Sequence, residues 1–251
     1  MAENRNLFNR FERQIILPEI GEKGQKKVQN AKILLIGAGG LASAAAYYLS
    51  AAGVGKIGIA DDDTIEISNL NRQILHDSTG IGALKVISAK QTLEKLNPST
   101  EIVTYPKRLS SSQDLIKIIK GYDVIIDCSD NYPTRFAIND ACIHEHKPWV
   151  YGAVSGFEGQ AMMIISGKGP CYRCLYPSSP PPSGETSMTG VIGVTPGIIG
   201  IIQATEALKY ILGKGNLLLG RLLYVDLLEM KVSEFIVHRN PDCQSCASHH
   251  T

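Results

Sequence analysis

Four of the six cysteines in the sequence occur as two C-x-x-C pairs, Cys171 with Cys174 and Cys243 with Cys246. Two C-x-x-C pairs of this kind, called zinc knuckles, are typical of a tetrahedral zinc site with four thiolate ligands. Each pair supplies one edge of the tetrahedron. Disulfides and a redox-active C-x-x-C are the alternatives, but the start of the sequence does not resemble an export signal and the two pairs are far apart. A site with four thiolate ligands leaves no open position on the metal, so we expect a structural role for the zinc.

A glycine-rich turn follows the first short apolar run of the chain. The run at 31–36 ends in Gly37-Ala-Gly39-Gly40, and a helix of small residues comes next. Glycines at a strand-to-helix turn let backbone N–H groups approach an anion at the positive end of the helix. Asp61 follows at the end of the second predicted strand, where it could hold the ribose hydroxyls of a nucleotide. The pattern indicates nucleotide binding, although a tight turn without a ligand would contain the same glycines.

Cationic, amide and acidic side chains follow the later predicted strands. The members of this set are Asp63, Asn69, Arg72, Gln73, Lys85, Asp130 and Asn131. Most of them lie at or just after strand ends, on the crevice side of an open α/β sheet. Cations can clamp phosphates and a carboxylate can hold Mg²⁺, so the set suits a triphosphate with Mg²⁺ better than a dinucleotide. Any single member could instead be a surface salt-bridge partner. The sequence contains no Walker A pattern.

The order of the elements indicates which fold brings these residues together. Apolar runs predict strands at 31–36, 56–60, 101–105, 123–127 and 149–153. Helical segments separate them, which is typical of a Rossmann-like, doubly wound, largely parallel α/β sheet. The pattern then changes, and we expect antiparallel strands to extend the sheet at 160–165, 222–226 and 234–237.

We expect the whole chain, 1–251, to form a single domain, since no internal repeat divides it. Its predicted parts are a helical arm at 1–30 with breaks at Gly21 and Gly24, a nucleotide-binding core at 31–165, a crossover loop at 175–190 and the zinc knuckles 171–174 and 243–246.

Charge and hydropathy exclude several classes of protein. The chain has 251 residues, with 25 Lys plus Arg against 24 Asp plus Glu. Because there is no basic excess to neutralise phosphates, we expect no nucleic-acid partner. The most apolar stretch, 191–212, is interrupted by Pro196 and by glycines, which argues against a membrane span. The polar start predicts neither a signal peptide nor a transit peptide, so we expect a cytoplasmic protein.

Taken together, the motifs resemble those of the E1-like activating enzymes of the MoeB/ThiF/HesA type. The resemblance is carried by RQIILPEIG at 13–21, GAGGLAS at 37–43, SNLNRQILH at 68–76, DCSDN at 127–131 with TR at 134–135, YGAVSGFEGQ at 151–160, and both cysteine pairs. It covers nearly the whole chain. It implies a homodimer that uses ATP and Mg²⁺ to adenylate a carboxylate, most familiarly the C-terminal glycine of a small ubiquitin-like sulfur-carrier protein.

The resemblance also implies roles for individual residues. Gly39 and Gly40 would contact the nucleotide and Asp61 its ribose, while Asp130 would hold Mg²⁺. Arg13 matches an arginine that reaches the phosphates of the ATP bound to the other subunit. The residues implied at the phosphates are Asn69, Arg72, Gln73 and Lys85, and those implied in catalysis are Arg13, Arg72, Lys85 and Asp130.

One position departs from the pattern of many relatives. A cysteine usually precedes the Gly-Val that closes the crossover loop, and Thr186 occupies that position here. A threonine hydroxyl is far less acidic and less nucleophilic than a thiol, so we expect activation to stop at the acyl adenylate.

Three other functions stay open. A small-molecule carboxylic acid, such as the pyridinol acid of the iron-guanylylpyridinol cofactor, could be the substrate. An NAD-dependent oxidoreductase would account for the glycine turn and Asp61, but not for Arg72, Lys85 and Asp130 together. A nucleotide-sensing dimer without catalysis would need neither Arg13 nor Asp130.

Overall fold

The computed structural model of the chain describes residues 2–178 and 190–247, with side chains from residue 9 onward. The strands of the described residues are β1 (Lys32–Ile36), β2 (Lys56–Ala60), β3 (Glu101–Tyr105), β4 (Val124–Asp127), β5 (Trp149–Ser155), β6 (Glu158–Ile164), β7 (Arg221–Asp226) and β8 (Lys231–Ile236). The helices are α1 (Ala2–Ile15), α2 (Gly21–Asn30), α3 (Gly40–Ala51), α4 (Lys85–Leu96), α5 (Ser112–Ile119), α6 (Tyr132–His144), α7 (Tyr172–Leu175) and α8 (Val194–Leu212).

All of these strands belong to one sheet, in the order β3-β2-β1-β4-β5-β6-β7-β8. Strands β1 to β5 pair in parallel, and β5 to β8 pair antiparallel. The predicted fold class, a Rossmann-like parallel sheet extended by antiparallel strands, is therefore confirmed. The last strand begins earlier than predicted, because a turn at Met230 lets Lys231 pair with Asp226. Its side chains are exposed on both faces, so the hydrophobic alternation that marks a half-buried strand is missing.

Helices cover both faces of the parallel part of the sheet. Along β1, Ile33 and Leu35 pack into one core cluster with α3, α4 and α8. Leu34 and Ile36 pack into a second cluster with α5, α6 and α7. Burial on both faces explains why β1 reads as a continuous apolar run without alternation.

The predicted helical arm is present, but one of its two predicted breaks is wrong. Gly21, with φ of +57°, begins α2, whereas Gly24 lies inside that helix. A Cβ at Gly24 would stand 3.1 Å from Leu212 and 3.2 Å from Ile20. Gly24 therefore permits close packing against the end of α8, and this contact could not be read from the local sequence.

Two connections at the carboxyl ends of the parallel strands position the candidate site. The first runs from β1 through Gly37 into α3, and the second from β4 through Asp130 into α6. Helix α6 begins where the Asn131 side chain accepts a hydrogen bond from the N–H of Thr134 at 3.0 Å, which is the usual N-cap arrangement. Within the described ranges, no helix combines the length and the apolar character that a membrane span requires.

Candidate active site

A cavity of about 380 Å³ opens at the carboxyl ends of β1, β2 and β4. The strand order reverses between β1 and β4, and open α/β sheets bind ligands at this type of switch point. Ten of the residues selected from the sequence line the cavity, namely Gly37, Gly39, Gly40, Asp61, Asp63, Arg72, Gln73, Lys85, Asp130 and Asn131. The structure thus brings together residues that are spread over nearly a hundred positions of the chain.

The three positions of the turn contain glycine for different structural reasons. Gly37 has a φ of +108°, and a Cβ there would stand 2.5 Å from the carbonyl oxygen of Cys128, so the fold itself requires glycine. A Cβ at Gly40 would touch Pro196 at 3.0 Å. A Cβ at Gly39 would meet nothing closer than the Gln73 amide nitrogen at 3.7 Å. Packing therefore does not require glycine at position 39. The absence of a side chain leaves the backbone of Gly39 accessible to a ligand in the cavity.

Asp61 connects the glycine turn to the end of β2. Its Oδ2 accepts a hydrogen bond from the N–H of Ala38 at 2.7 Å, and its Oδ1 accepts one from the N–H of Asp63 at 2.8 Å. His76 supports the same turn from behind, with Nε2 at 3.0 Å from the carbonyl oxygen of Ala38 and Nδ1 at 3.1 Å from Ser88 Oγ. Burial lowers the pKa of His76 below its usual value. This histidine does not line the cavity, and its contacts give it a structural role.

Lys85 is held in place at the start of α4. Its Nζ lies 3.0 Å from Oδ2 of Asp63. The backbone N–H of Lys85 donates a hydrogen bond to the carbonyl oxygen of Asp63, also at 3.0 Å. The Lys85 side chain is only 8% exposed, whereas that of Asp63 is 55% exposed. The ammonium group is therefore shielded from bulk solvent on one side and faces the cavity, which suits a phosphate contact.

The segment around residue 70 brings two of its three selected side chains to the cavity. Arg72 Nη1 donates to the carbonyl oxygen of Ser68 at 2.8 Å, and Arg72 lines the cavity together with Gln73. The Oε1 atom of Gln73 is buried without a hydrogen-bond partner. Asn69 is not among the lining residues, because its Oδ1 accepts a hydrogen bond from the N–H of Glu66 in a capping box.

Asp130 is exposed at the end of β4, and its Oδ1 accepts a hydrogen bond from Asn131 Nδ2 at 3.2 Å. The carboxylates of residues 61–63 also line the cavity, and their oxygens lie within 4.8 Å of one another. Mg²⁺ usually binds to one or two carboxylates together with substrate phosphates, so Asp130 and the acidic run fit a metal–triphosphate.

Arg13 is exposed near the end of α1 and does not line the cavity of its own chain.

Some cavity residues were not selected from the sequence. Lys107, Arg108 and Leu109 follow β3 and form one wall, with Arg108 Nε at 3.5 Å from Asp62 Oδ1. Their position after a parallel strand was a usable signal, because such strand ends meet at the crevice. Ser129 and Arg135 also line the cavity; both lie in the DCSDN and TR motifs, but no role was assigned to either from the sequence.

The four cysteines of the knuckles form a second cluster, on the α7 side of the sheet. Their sulfur atoms all lie within 4.8 Å of one another, at 3.9 Å for Cys171–Cys174, 3.5 Å for Cys171–Cys243 and 3.6 Å for Cys174–Cys246. A tetrahedral site with Zn–S bonds of about 2.3 Å has S–S edges of about 3.8 Å. These separations fit a four-thiolate metal site and are too long for disulfides, whose S–S bonds are about 2.05 Å.

The other two cysteines are free and buried. Burial raises the pKa of both Cys128 and Cys142 well above the usual value of a thiol. Neither is therefore a reactive thiolate. Thr186 and most of the crossover loop lie outside the described residues.

The fold and the site together define an α/β protein in which a glycine turn, cations and carboxylates line a cavity at the switch point of the sheet. The model of the ThiF family matches residues 11–245. A sulfur carrier protein adenylyltransferase of Thermus thermophilus is 42% identical over 97% of this chain and 92% of its own length. The SAMP-activating enzyme E1 of Haloferax volcanii is also 42% identical, over 95% of this chain and 88% of its own length. The chain belongs to the ThiF family of E1-like enzymes and is an ATP-dependent adenylyltransferase.

Two further similarities are partial. The adenylyltransferase and sulfurtransferase MOCS3 of Drosophila yakuba is 45% identical over 95% of this chain, which spans only 53% of that relative. The crystal structure of E. coli MccB with MccA-N7isoASN superimposes with a TM-score of 0.87, over 96% of this chain and 75% of that one. At 22% identity, the latter similarity supports the fold alone.

Proposed function

We propose that this enzyme adenylates the C-terminal carboxylate of a small ubiquitin-like sulfur-carrier protein and releases pyrophosphate. The observation that carries the proposal is the cavity at the switch point, which Arg72, Lys85 and Asp130 line together with the glycine turn. The name of the Thermus relative supports a carrier protein as the substrate, because this chain spans 92% of that relative.

In the proposed reaction, a carboxylate oxygen of the carrier attacks the α-phosphorus of ATP. A bond forms between that oxygen and the phosphorus, and the bond to the bridging oxygen breaks, so pyrophosphate leaves with the electron pair. No general base is needed, because a carboxylate is already ionised at neutral pH. The chain must therefore align the two reactants and stabilise the charge on the phosphates.

The lining residues have distinct parts in this proposal. Gly39 and Gly40 let the phosphates approach the backbone at the start of α3, and Asp61 accepts hydrogen bonds from the ribose hydroxyls. Arg72 and Lys85 bind phosphate oxygens, assisted by Gln73. Asp130 would hold Mg²⁺, with Asn131 orienting its carboxylate, and Asp63 keeps Lys85 in position. Mg²⁺, when bound, neutralises charge on the leaving pyrophosphate. Asn69 holds its own segment in place through its side-chain oxygen. A direct contact of Asn69 with a phosphate would have to come from its side-chain amide N–H group.

We further propose a homodimer in which Arg13 completes the site of the partner. Gln14, Tyr48 and Ile201, from α1, α3 and α8, line a shallow apolar groove of about 230 Å³. Large apolar side chains are exposed on the same elements and beyond the end of α1, at Ile16, Leu17, Tyr48, Ile198 and Ile201. Exposed apolar surface of this kind marks interaction sites, and it adjoins the position of Arg13.

The four-cysteine cluster is proposed to hold one structural Zn²⁺. Its ligands come from Cys171 at the start of α7, Cys174 within α7, and Cys243 and Cys246 near the end of the described chain. The metal would fasten residues 171–174 to residues 243–246 and leave no coordination position for a substrate.

Reduced thiols and ATP are both available in the cytoplasm, where we place the enzyme. We also propose that the chain acts as one adenylation domain, since a single sheet connects its parts.

A small carboxylic acid is the second candidate substrate, because Thr186 removes the thiol that many relatives carry in the crossover loop. Exchange of radioactive pyrophosphate into ATP distinguishes the candidates. The carrier should support exchange, and the same carrier lacking its C-terminal glycine should not. Exchange with a small acid but no carrier would select the second candidate. Binding of NAD without binding of ATP would overturn adenylation altogether.

A further inference from the structure

The buried pair Asp127 and Arg135 holds Ser129, the residue that precedes Asp130, by hydrogen bonds. Asp127 is fully buried at the end of β4, and its Oδ1 accepts hydrogen bonds from the N–H of Ser129 at 3.0 Å and from its hydroxyl at 2.6 Å. Arg135, one turn into α6, donates from Nη2 to the carbonyl oxygen of Ser129 at 3.1 Å. The amide, hydroxyl and carbonyl of Ser129 are all engaged, so this pair fixes the backbone from which Asp130 emerges.

The geometry of this pair is not that of an ordinary stabilising ion pair. Arg135 Nε lies 3.6 Å from Asp127 Oδ2, and neither atom has a hydrogen-bond partner among the described residues. Burial raises the pKa of Asp127 to about 6 even though Arg135 opposes the shift. In contrast, Arg173 forms two hydrogen bonds to Asp140, at 2.9 and 2.7 Å. Buried ion pairs lose much of their attraction to desolvation, so the Asp127–Arg135 pair is a weak source of stability.

Side chains from three elements hold the pair in place. The guanidinium of Arg135 lies 5.7 Å from the ring centroids of both Tyr132 and Tyr151, within cation–π range. From α8, Gln203 donates to the carbonyl oxygen of Asp127 at 2.6 Å and to that of Val150 at 3.2 Å. The support therefore comes from α6, β5 and α8, and it converges on the short segment between β4 and α6.

We propose that the Asp127–Arg135 pair is a positioning device for the Asp130 carboxylate, which sets the affinity of the site for the metal–nucleotide. This proposal rests on the proposed role of Asp130. Arg135 is a positioning residue in it and acts through Ser129. Groups that orient a metal ligand in this way change metal affinity or activity by about 10- to 100-fold when they are altered.

Arg135→Lys tests the proposal, because lysine keeps the charge but lacks the planar group that bridges Ser129 and the two tyrosine rings. The matched control is Arg173→Lys, which weakens an arginine–aspartate pair outside the cavity. Mn²⁺ binding is measured by electron paramagnetic resonance in the presence of α,β-methylene-ATP, which cannot be cleaved at the reacting bond. Thermal unfolding is measured in parallel, and Arg135→Gln replaces Arg135→Lys if the latter does not fold.

We expect Arg135→Lys to weaken Mn²⁺ binding and to lower kcat for pyrophosphate exchange, each by about 10-fold or more, with KM for the carboxylate unchanged. Arg173→Lys should lose at least as much stability and keep both properties. Equal Mn²⁺ affinity in the two variants would overturn the proposal, and so would a rise in KM for the carboxylate alone. If Asp130→Asn leaves Mn²⁺ binding intact, this inference fails. If wild type shows no exchange with any carboxylate yet binds Mn²⁺ through Asp130, the proposed function fails and the positioning role stands.

Discussion

Gly39→Ala separates ligand binding from folding at the glycine turn. The new Cβ would meet only the Gln73 amide nitrogen, at 3.7 Å, and the φ of −87° suits alanine. Alanine is a poorer N-cap than glycine, by up to about 1 kcal/mol, but it also reduces the freedom of the unfolded chain, which contributes about 0.4–1 kcal/mol in the opposite direction. The two effects offset each other, so we expect the midpoint of thermal unfolding to change by less than about 4 °C.

The effect on ATP binding should be much larger. A methyl group at Gly39 lies where a phosphate must approach the backbone N–H groups at the start of α3. Loss of one hydrogen bond to a charged group costs about 1.5–3 kcal/mol, which corresponds to roughly 10- to 140-fold in ATP affinity. Isothermal titration with α,β-methylene-ATP measures this change. Gly121→Ala is the control, since a Cβ there meets only the Ile118 carbonyl oxygen at 3.6 Å, away from the cavity.

Two results would refute this reasoning. Wild-type ATP affinity in Gly39→Ala would show that phosphates do not approach the turn. Unfolding of the variant would show that glycine is required there by packing, as it is at Gly37. Gly37→Ala itself should be strongly destabilised, because its Cβ would stand 2.5 Å from a carbonyl oxygen at a φ of +108°.

Four further predictions concern the charges, the dimer, the metal and the crossover loop. Lys85→Ala should lower the rate of pyrophosphate exchange by roughly two to three orders of magnitude, the scale expected for one preorganised charge, whereas Lys90→Ala on the same helix should not change it. A mixture of Arg13→Ala and Asp130→Ala chains should recover exchange in the heterodimer, because one composite site is then intact. Metal analysis should find about one zinc per chain, and chelation should lower the midpoint of thermal unfolding. Exchange should also persist in Thr186→Ala, without a thiol-sensitive acyl-enzyme, because no thiol in the crossover loop is needed.

The contradicting outcomes are distinct. Equal losses in Lys85→Ala and Lys90→Ala would mean that the effect is general and not local to the cavity. Heterodimers that form but show no activity would exclude a shared site. An active, metal-free enzyme with its knuckle cysteines in disulfides would exclude structural zinc. Isolation of a thioester between this chain and its substrate would show that activation goes beyond the adenylate.

Local chemistry in the sequence was sufficient to predict the main elements of the fold. The apolar run of β1, the glycine turn and the small-residue helix follow one another along the chain, so each could be recognised from its neighbours. The cavity residues could also be selected, because the carboxyl ends of parallel strands meet at one crevice whatever the rest of the fold does. The C-x-x-C spacing predicted which cysteines share a cluster, even though Cys171 and Cys243 are 72 positions apart.

Only the tertiary structure decided how individual side chains are used. Asn69 is turned towards the N–H of Glu66 by a local cap, and Gly24 lies within a helix because α8 packs against it. Arg135 is a surface-type residue in the sequence, yet it is buried beside Asp127 because the start of α6 lies next to the end of β4. Periodicity and turn chemistry depend on residues close in the chain, whereas burial and hydrogen-bond partners depend on elements brought together by packing. The sequence by itself therefore determined where the site lies, and the packed structure determined which side chains support it.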